Sequence, residues 1–168
     1  MGRWLCLWLA LALAWTAHAA VPEMPRFRVL GPGEGLPATT VTGVARDRDG
    51  YLWAATWDGL ARYDGIGFRT WQHDPDVPSS PPANLLQALY IDRHDRIWVA
   101  GEGGGVSVMD ADRTGFRHFR KATHPVLRSD DVFAITGRGE DVWFGAYGGG
   151  LYRVDADHQL EQVRAGDA

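Results

Sequence analysis

The sequence predicts an all-β protein in which one four-stranded antiparallel unit is repeated three times. Trp53, Trp98 and Trp143 stand 45 residues apart, in the stretches GYLWAATWDGLARYDG (50–65), RIWVAGEGGGVSVMD (96–110) and DVWFGAYGGGLYRVD (141–155). Each stretch has an apolar run through Trp, small residues, a Gly-containing turn and an alternating run that ends on Asp. No stretch after residue 20 keeps a helical period of apolar positions. A fixed period of this length indicates one supersecondary unit copied along the chain.

The first copy divides into four short runs with strand character, at 41–47, 51–56, 60–63 and 68–72. The residues between them contain Asp-Gly pairs, which favour tight hairpin turns because Gly accepts positive φ and Asp bonds its own backbone. Four short antiparallel strands every 45 residues are typical of a β-propeller blade. A solenoid fits less well, because it needs shorter periods or helices.

The repeated Trp residues are interpreted as packing residues between blades. A blade is covered on both faces by its neighbours, and a buried Trp removes roughly 150–250 Å² from water. We therefore expect Trp53, Trp98 and Trp143 to form the structural core of the repeat. Ligand stacking by these rings is the alternative.

The best copy, GVARDRDGYLWAATWDGLARYDG at 43–65 with EGLP before it at 34–37, resembles the two-component regulator propeller repeat. The resemblance extends over about residues 26–163. Copy three departs from it at Gly137, where the first two copies have Asp47 and Asp92. Copies two and three also replace Asp58-Gly59 by three glycines, at 103–105 and 148–150.

Residues 1–19 are interpreted as a signal peptide. Arg3 precedes an apolar run from Trp4 to Trp15, and Ala17-His18-Ala19 offers small residues for cleavage. An uncleaved anchor is the alternative. We expect an N-terminal strand and leading loop at 20–35, blade 1 at 36–81, blade 2 at 82–127 and blade 3 at 128–168.

Composition limits the functional classes. The chain has a net charge of −4 with no cluster of basic residues, which argues against nucleic-acid binding. Its one cysteine, Cys6, lies in the signal peptide, so disulfides are not expected. These features favour a periplasmic, extracytoplasmic domain.

Three blades are fewer than the four to eight that close a propeller. We therefore expect either the N-terminal piece of a longer protein or a truncated product, with self-association through open blade faces as the alternative. The residues PRFRVL at 25–30 are interpreted as an outermost strand without a blade of its own.

The sequence predicts no enzyme, no metal site and no cofactor. The Gly-rich stretches lack the Lys-Ser/Thr ending of a phosphate-binding loop, and no catalytic triad or carboxylate pair is evident. The histidines are interpreted as solvated surface residues.

Loops at one end of the blades supply the candidate residues for ligand recognition, and the alternative is that these are ordinary exposed loop residues. Trp57, Glu102 and Tyr147 each lie four residues after the repeated Trp, and Asp58 follows Trp57. Side chains that vary on a repeated scaffold are where recognition usually occurs. Thr39, Asn84 and Ser129 are weaker candidates.

The resemblance implies a periplasmic ligand-sensing propeller, the input part of a transmembrane receptor with histidine kinase or diguanylate cyclase output. Its partner would be an extracellular ligand or protein. The alternatives are a non-signalling scaffold for protein interaction and, less favoured, a secreted propeller enzyme.

Overall fold

The computed structural model describes residues 27–164. Apart from a 3₁₀ turn at Pro32–Glu34, the regular structure of these residues is entirely β, in three four-stranded antiparallel sheets with strands in sequence order. The all-β repeat of propeller blades is thus confirmed. Blade 1 contains β1 (Val41–Arg46), β2 (Leu52–Thr56), β3 (Gly59–Tyr63) and β4 (Phe68–Trp71); blade 2 contains β5 (Leu86–Ile91), β6 (Ile97–Gly101), β7 (Gly105–Met109) and β8 (Phe116–Phe119); blade 3 contains β9 (Val132–Arg138), β10 (Asp141–Ala146), β11 (Gly150–Val154) and β12 (Leu160–Gln162).

The first strands of the blades are innermost, since β1 contacts β5 and β5 contacts β9. In blades 1 and 2 the first strand starts with a bulge, between Val41 and Gly43 and between Leu86 and Ala88. Blade 3 has its irregularity at the same end, next to Ala146 on β10. A bulge bends a strand and strengthens its twist, so each blade has its local distortion at the same end.

The core lies between blades. The face of blade 1 that carries Trp53 packs on the opposite face of blade 2, and the face of blade 2 that carries Trp98 packs on the opposite face of blade 3. Both indoles are fully buried. The first interface includes Trp53, Ala55, Leu60, Leu86, Ile97, Val99, Met109 and Phe116. The second includes Trp98, Ala100, Val106, Val108, Phe119, Leu127, Val132, Val142, Phe144, Tyr152 and Val154.

A buried carboxylate holds each of these two indoles. Asp47 and Asp92 begin five-residue loops between the first and second strands of their blades. Trp53 Nε1 donates to Asp47 Oδ2 at 2.7 Å, and Trp98 Nε1 donates to Asp92 Oδ2 at 2.8 Å. The buried N–H groups are therefore satisfied within their own blades.

Blade 3 differs at this loop, and the expectation for Trp143 is corrected. Gly137 stands where the other blades have Asp, and β9 and β10 are joined by the two-residue turn Gly139-Glu140. Trp143 Nε1 is buried with no hydrogen-bond partner among residues 27–164. The ring is only half-buried, because the described residues include no further blade to cover this face.

Residues 27–30, the described part of the expected outermost strand at 25–30, have no strand conformation, and Phe27 and Val29 are exposed. A strand without a blade of its own pairs only with a further blade, and the three described blades each have their own four strands. The strand at 25–30 therefore stays a prediction. The signal peptide at 1–19 lies outside the described residues. Within residues 27–164 there is no helix long and apolar enough to cross a membrane.

Candidate recognition rim

Trp57, Glu102 and Tyr147 occupy equivalent places at one end of the three blades. Each begins the turn between the second and third strands. Each donates its backbone N–H to the carbonyl of the residue before the first strand: Trp57 to Thr40 at 3.2 Å, Glu102 to Leu85 at 3.3 Å and Tyr147 to Asp131 at 2.8 Å. We call the surface formed by Trp57, Asp58, Glu102 and Tyr147 the rim.

The rim side chains are accessible. Trp57 is 52% exposed and Tyr147 is 75% exposed, Glu102 is exposed and Asp58 is half-buried. Exposed aromatic rings have a hydration cost that a ligand can relieve, whereas the repeated Trp53 and Trp98 are sealed between blades. Trp57 and Tyr147 are therefore accessible to a ligand, whereas Trp53 and Trp98 are not.

Two rim residues have neighbours that the sequence did not reveal. Phe133, at the start of β9 and also exposed, meets Tyr147 edge to face with ring centroids 6.3 Å apart. Gln72 Nε2 donates to Asp58 Oδ2 at 3.0 Å. Phe133 reaches Tyr147 because β9 lies beside the β10–β11 turn. The sequence around residue 133 contains no pattern that predicts this contact.

Backbone hydrogen bonds join the rim turns across blades. Gly59 N donates to Asn84 O, and Gly105 N donates to Asp130 O, both at 2.8 Å. Gly59 has φ of 108°, and a Cβ there would stand 2.4 Å from the Trp71 carbonyl oxygen, so the turn requires glycine. The rim turns of blades 1 and 2 are thus fixed to the start of the next blade.

The weaker candidates divide by role. Asn84 Oδ1 accepts from His73 N at 2.7 Å, and Ser129 Oγ accepts from Asp131 N at 3.1 Å. These side chains shape the connections between blades. Thr39 is exposed. Asp131, which sequence reasoning missed, accepts from Gly103 N at 2.8 Å and adds a carboxylate beside the Glu102 turn.

The interpretation of all histidines as solvated is wrong for His118. Its Nδ1 lies 2.6 Å from Oγ of the fully buried Ser107, and its Nε2 lies 2.8 Å from the Pro78 carbonyl oxygen. Burial lowers the pKa of His118, with Arg120 and His73 adding to the effect. A neutral ring that accepts from Ser107 and donates to Pro78 satisfies both contacts. Pro78 lies in the connection between blades 1 and 2, and Ser107 is buried in blade 2. His118 therefore holds this connection against blade 2.

Charged residues at the other end of the blades are paired with one another. Arg96 Nε donates to Asp92 Oδ2 at 2.6 Å, and Arg113 donates to Asp95 Oδ2 at 2.7 Å. Burial alone raises the pKa of Asp92, but hydrogen bonds from Trp98 and Arg96 outweigh it and hold that pKa below its ordinary value. Among residues 27–164 no three side chains form a metal-ligating group. Both pairs lie within blade 2, where they stabilise the β5–β6 loop and join it to the β7–β8 turn.

Residues 35–58, from the approach to β1 through the rim residue Asp58, match the sequence model of the two component regulator propeller family. This stretch carries the two-component regulator propeller repeat. The match covers the copy that combines the Asp47 loop, the buried Trp53 and the Trp57-Asp58 turn. Blades 2 and 3 keep its strand order with altered turns.

Comparison with curated proteins gives a relative that is a histidine kinase. The histidine kinase P4 of Formosa agariphila is 33% identical over 54 residues, which cover 32% of this chain and 4% of the kinase. The chain therefore spans a small part of this curated relative.

Solved structures share the fold. The extracellular domain of BT3049 from B. thetaiotaomicron, a protein assigned to the hybrid two-component systems, superposes with a TM-score of 0.51 at 20% identity, covering 82% of this chain and 26% of that one. The extracellular domain of BT4673 from the same organism has a TM-score of 0.64 at 18% identity, covering 76% and 19%. At these identities the likeness shows the blade architecture.

Proposed function

We propose that this chain is an extracytoplasmic ligand-sensing propeller, the input part of a transmembrane receptor whose output is a histidine kinase or a diguanylate cyclase. The observation that carries the proposal is the rim: one backbone frame, repeated three times, presents a Trp, a Glu and a Tyr at the same place. The regulator-propeller match and the extracellular domains that share the fold support it.

The chemistry of the rim limits what it recognises. Trp57 and Tyr147 offer aromatic faces for stacking, and Asp58 and Glu102 offer carboxylate oxygens that accept hydrogen bonds. Such a surface suits a ligand with apolar or ring faces and with hydroxyl or ammonium donors. We therefore expect the rim to favour neutral or cationic ligands over anionic ones.

Signalling requires that a ligand bind two receptor states with different affinity. The rim turns of blades 1 and 2 are hydrogen-bonded to the start of the next blade, through Gly59 and Asn84 and through Gly105 and Asp130. A ligand that contacts two neighbouring rim turns thus acts on the spacing of two blades. The rim offers a direct route from binding to a change in blade arrangement.

The test is binding by the purified full chain. Thermal-shift and calorimetric titrations would use a panel of neutral oligosaccharides, amino acids and cationic peptides. A triple variant, Trp57→Ala with Glu102→Ala and Tyr147→Ala, should lose about ten-fold or more in affinity for any hit while keeping the wild-type β circular dichroism. Val77→Ala, at an exposed apolar residue in the connection between blades 1 and 2, is the matched control and should bind normally.

Other outcomes would contradict this proposal. Unchanged affinity in the triple variant would show that the rim is not the ligand-binding surface. Turnover of a panel compound would favour the secreted enzyme. Binding of cationic peptides without any small-molecule hit would favour a scaffold for protein interaction.

A further inference from the structure

The two interfaces between blades use different chemistry at one position of the third turn. Arg113, in the β7–β8 turn, reaches the carboxylate of blade 1, with Nη2 3.7 Å from Asp47 Oδ2. His158 stands at the same place in the β11–β12 turn, and its Nε2 lies 2.7 Å from Arg96 Nη1 of blade 2. An arginine that meets a carboxylate is attracted wherever the carboxylate is ionised. A histidine that meets an arginine is attracted only while the ring is neutral.

Arg96 is fixed within blade 2. Its Nε donates to Asp92 Oδ2 at 2.6 Å, and its guanidinium carbon lies 5.6 Å from the centroid of the Trp98 ring. Although burial raises the pKa of Asp92, hydrogen bonds from Trp98 and Arg96 hold it below its ordinary value, so the carboxylate stays ionised in mild acid. Arg96 therefore keeps its charged partner and its place while the ring opposite it titrates.

Charged groups of both signs act on the His158 ring. Burial is the largest cause that lowers the pKa of His158, and Arg117 and Arg96 of blade 2 add to it by repelling a protonated ring. Asp110, before the β7–β8 turn, and Asp155, in the same turn as His158, attract a protonated ring and oppose this shift. A proton on Nε2 also removes the lone pair that accepts from Arg96. Protonation thus replaces a hydrogen bond between blades by a contact of two cations.

Other polar contacts between blades 2 and 3 keep their strength in mild acid. At the β9–β10 turn, Glu140 pairs with Arg93 at 2.8 Å and lies 2.6 Å from His94 Nε2, so a proton on His94 adds attraction. The hydrogen bond from His94 is the main cause that lowers the pKa of Glu140. At the rim, the bond from Gly105 N to Asp130 O joins two backbone groups, which do not titrate. The weak point in acid is the β11–β12 turn.

We propose that blades 2 and 3 separate at the β11–β12 turn in mild acid, on protonation of His158, while the interface between blades 1 and 2 stays closed. The separation exposes Val154, the last residue of β11, which is fully buried in the interface with blade 2. Its counterpart Met109, the last residue of β7, is fully buried in the interface with blade 1 and stays covered.

The direction of the effect follows from the proton. The closed arrangement binds a proton at His158 less tightly than the open one, because the ring faces Arg96 only when closed. The closed arrangement is therefore favoured at neutral pH and is lost as the pH falls through the His158 pKa, which lies below the ordinary value of about 6.5. Uptake of one proton changes the ratio of open to closed by at most about ten-fold per pH unit.

The test is the accessibility of two engineered cysteines in the purified chain, whose own cysteine is removed by Cys6→Ser. Val154→Cys reports on the interface beside His158, and Met109→Cys is the matched control beside Arg113. A disulfide reagent that reacts in acid labels each variant. Each rate is divided by that of the same variant unfolded in urea at the same pH, which removes the effect of thiol ionisation.

The two cysteines should respond differently to pH. As the pH falls from about 7.5, the normalised rate for Val154→Cys should rise relative to that for Met109→Cys, by up to about ten-fold per pH unit. Circular dichroism at each pH should show unchanged β structure. A rate that does not rise for Val154→Cys would overturn the proposal. Equal rises at both positions would also overturn it, because they would show that acid opens both interfaces.

Three further variants, each in the Val154→Cys chain, test the assignment to His158. His158→Asn keeps an acceptor for Arg96 but does not titrate, so the rise should disappear. His158→Lys places a permanent cation at the contact and should give fast labelling already at about pH 7.5. Arg117→Gln removes a repelling cation, so the rise should begin at a higher pH. A rise that persists in His158→Asn, slow labelling of His158→Lys, or an onset in Arg117→Gln at or below the wild-type pH would each overturn the proposed role of the His158 contact.

Discussion

Trp53 Nε1 and Asp47 Oδ2 lie 2.7 Å apart, which joins the loop between β1 and β2 to the buried indole six residues later. The Arg113 guanidinium of blade 2 lies 5.2 Å from the Trp53 ring centroid, and its Nη2 is 3.7 Å from Asp47 Oδ2. One carboxylate thus connects a loop, an indole and the neighbouring blade. Blade 2 repeats the contact between loop and indole with Asp92 and Trp98, and there the neighbouring blade contacts Arg96 through His158. Blade 3 has no such Asp.

Removing this carboxylate from blade 2 should destabilise the protein strongly. Asp92→Ala leaves Trp98 Nε1 and the largely buried Arg96 without their acceptor, and breaking a buried ion pair typically costs about 3–5 kcal/mol. Asp92→Asn keeps a hydrogen-bond acceptor and should lose less. Urea denaturation measures both. A midpoint for Asp92→Ala close to the wild-type value would show that the carboxylate contributes little.

The three repeated Trp residues should differ in their contribution to stability. Trp53→Phe and Trp98→Phe each remove a satisfied hydrogen bond and packed volume from a sealed interface, so we expect losses of about 1–3 kcal/mol. Trp143→Phe removes an indole whose N–H has no partner, and its cost should be clearly smaller. Equal losses at all three positions, in the same denaturation assay, would contradict the inequivalence of blade 3.

Gly137 should be intolerant of a side chain. A Cβ at this position would stand 2.3 Å from the Tyr90 hydroxyl, because the Tyr90 ring lies across Gly137 between blades 2 and 3. Gly137→Ala should therefore cost about 1–3 kcal/mol. In the Tyr90→Leu background the same change should cost less. Additive losses in this double-mutant cycle would mean that the two residues do not interact.

Much of the fold follows from local sequence. The runs expected at 41–47, 51–56, 60–63 and 68–72 lie within one residue of β1–β4 at each end, because Asp-Gly turns and apolar alternation determine where such strands stop. The expected strand at 25–30 is not formed in its described part, residues 27–30, because a strand needs a partner strand that local sequence does not supply.

The contacts that decide the candidate site are less visible in the sequence. The equivalence of Trp57, Glu102 and Tyr147 follows from the repeat. The edge-to-face contact of Phe133 with Tyr147 and the interaction of Tyr90 with Gly137 arise between strands or blades. The sequence shows an Asp six residues before Trp in copies one and two, and it shows Gly137 in place of that Asp in copy three. It does not show the packing of Tyr90 against Gly137.

Acid should destabilise the protein in part through His118. Because burial lowers the pKa of His118 in the folded state, the unfolded state takes up the proton first as pH falls below about 6.5. The free energy of unfolding should therefore decrease from about pH 6.5 downward until the folded-state pKa is passed. Burial also lowers the pKa of His158, so that residue acts in the same direction.

The corresponding experiment compares pH profiles of stability. His118→Asn should flatten the decline that begins near pH 6.5, and His118→Asn with His158→Asn should flatten it further. The readout is the urea midpoint at each pH. Profiles parallel to the wild type would assign the acid sensitivity to other groups.

The central claim is that the rim reads an extracellular signal. It is tested most directly by the ligand dose–response of the proposed receptor, with Trp57, Glu102 and Tyr147 all replaced by Ala. A shift of about ten-fold or more in the half-maximal ligand concentration, with basal output and expression close to wild type, is the predicted result. A dose–response curve that superposes on the wild type would contradict the claim.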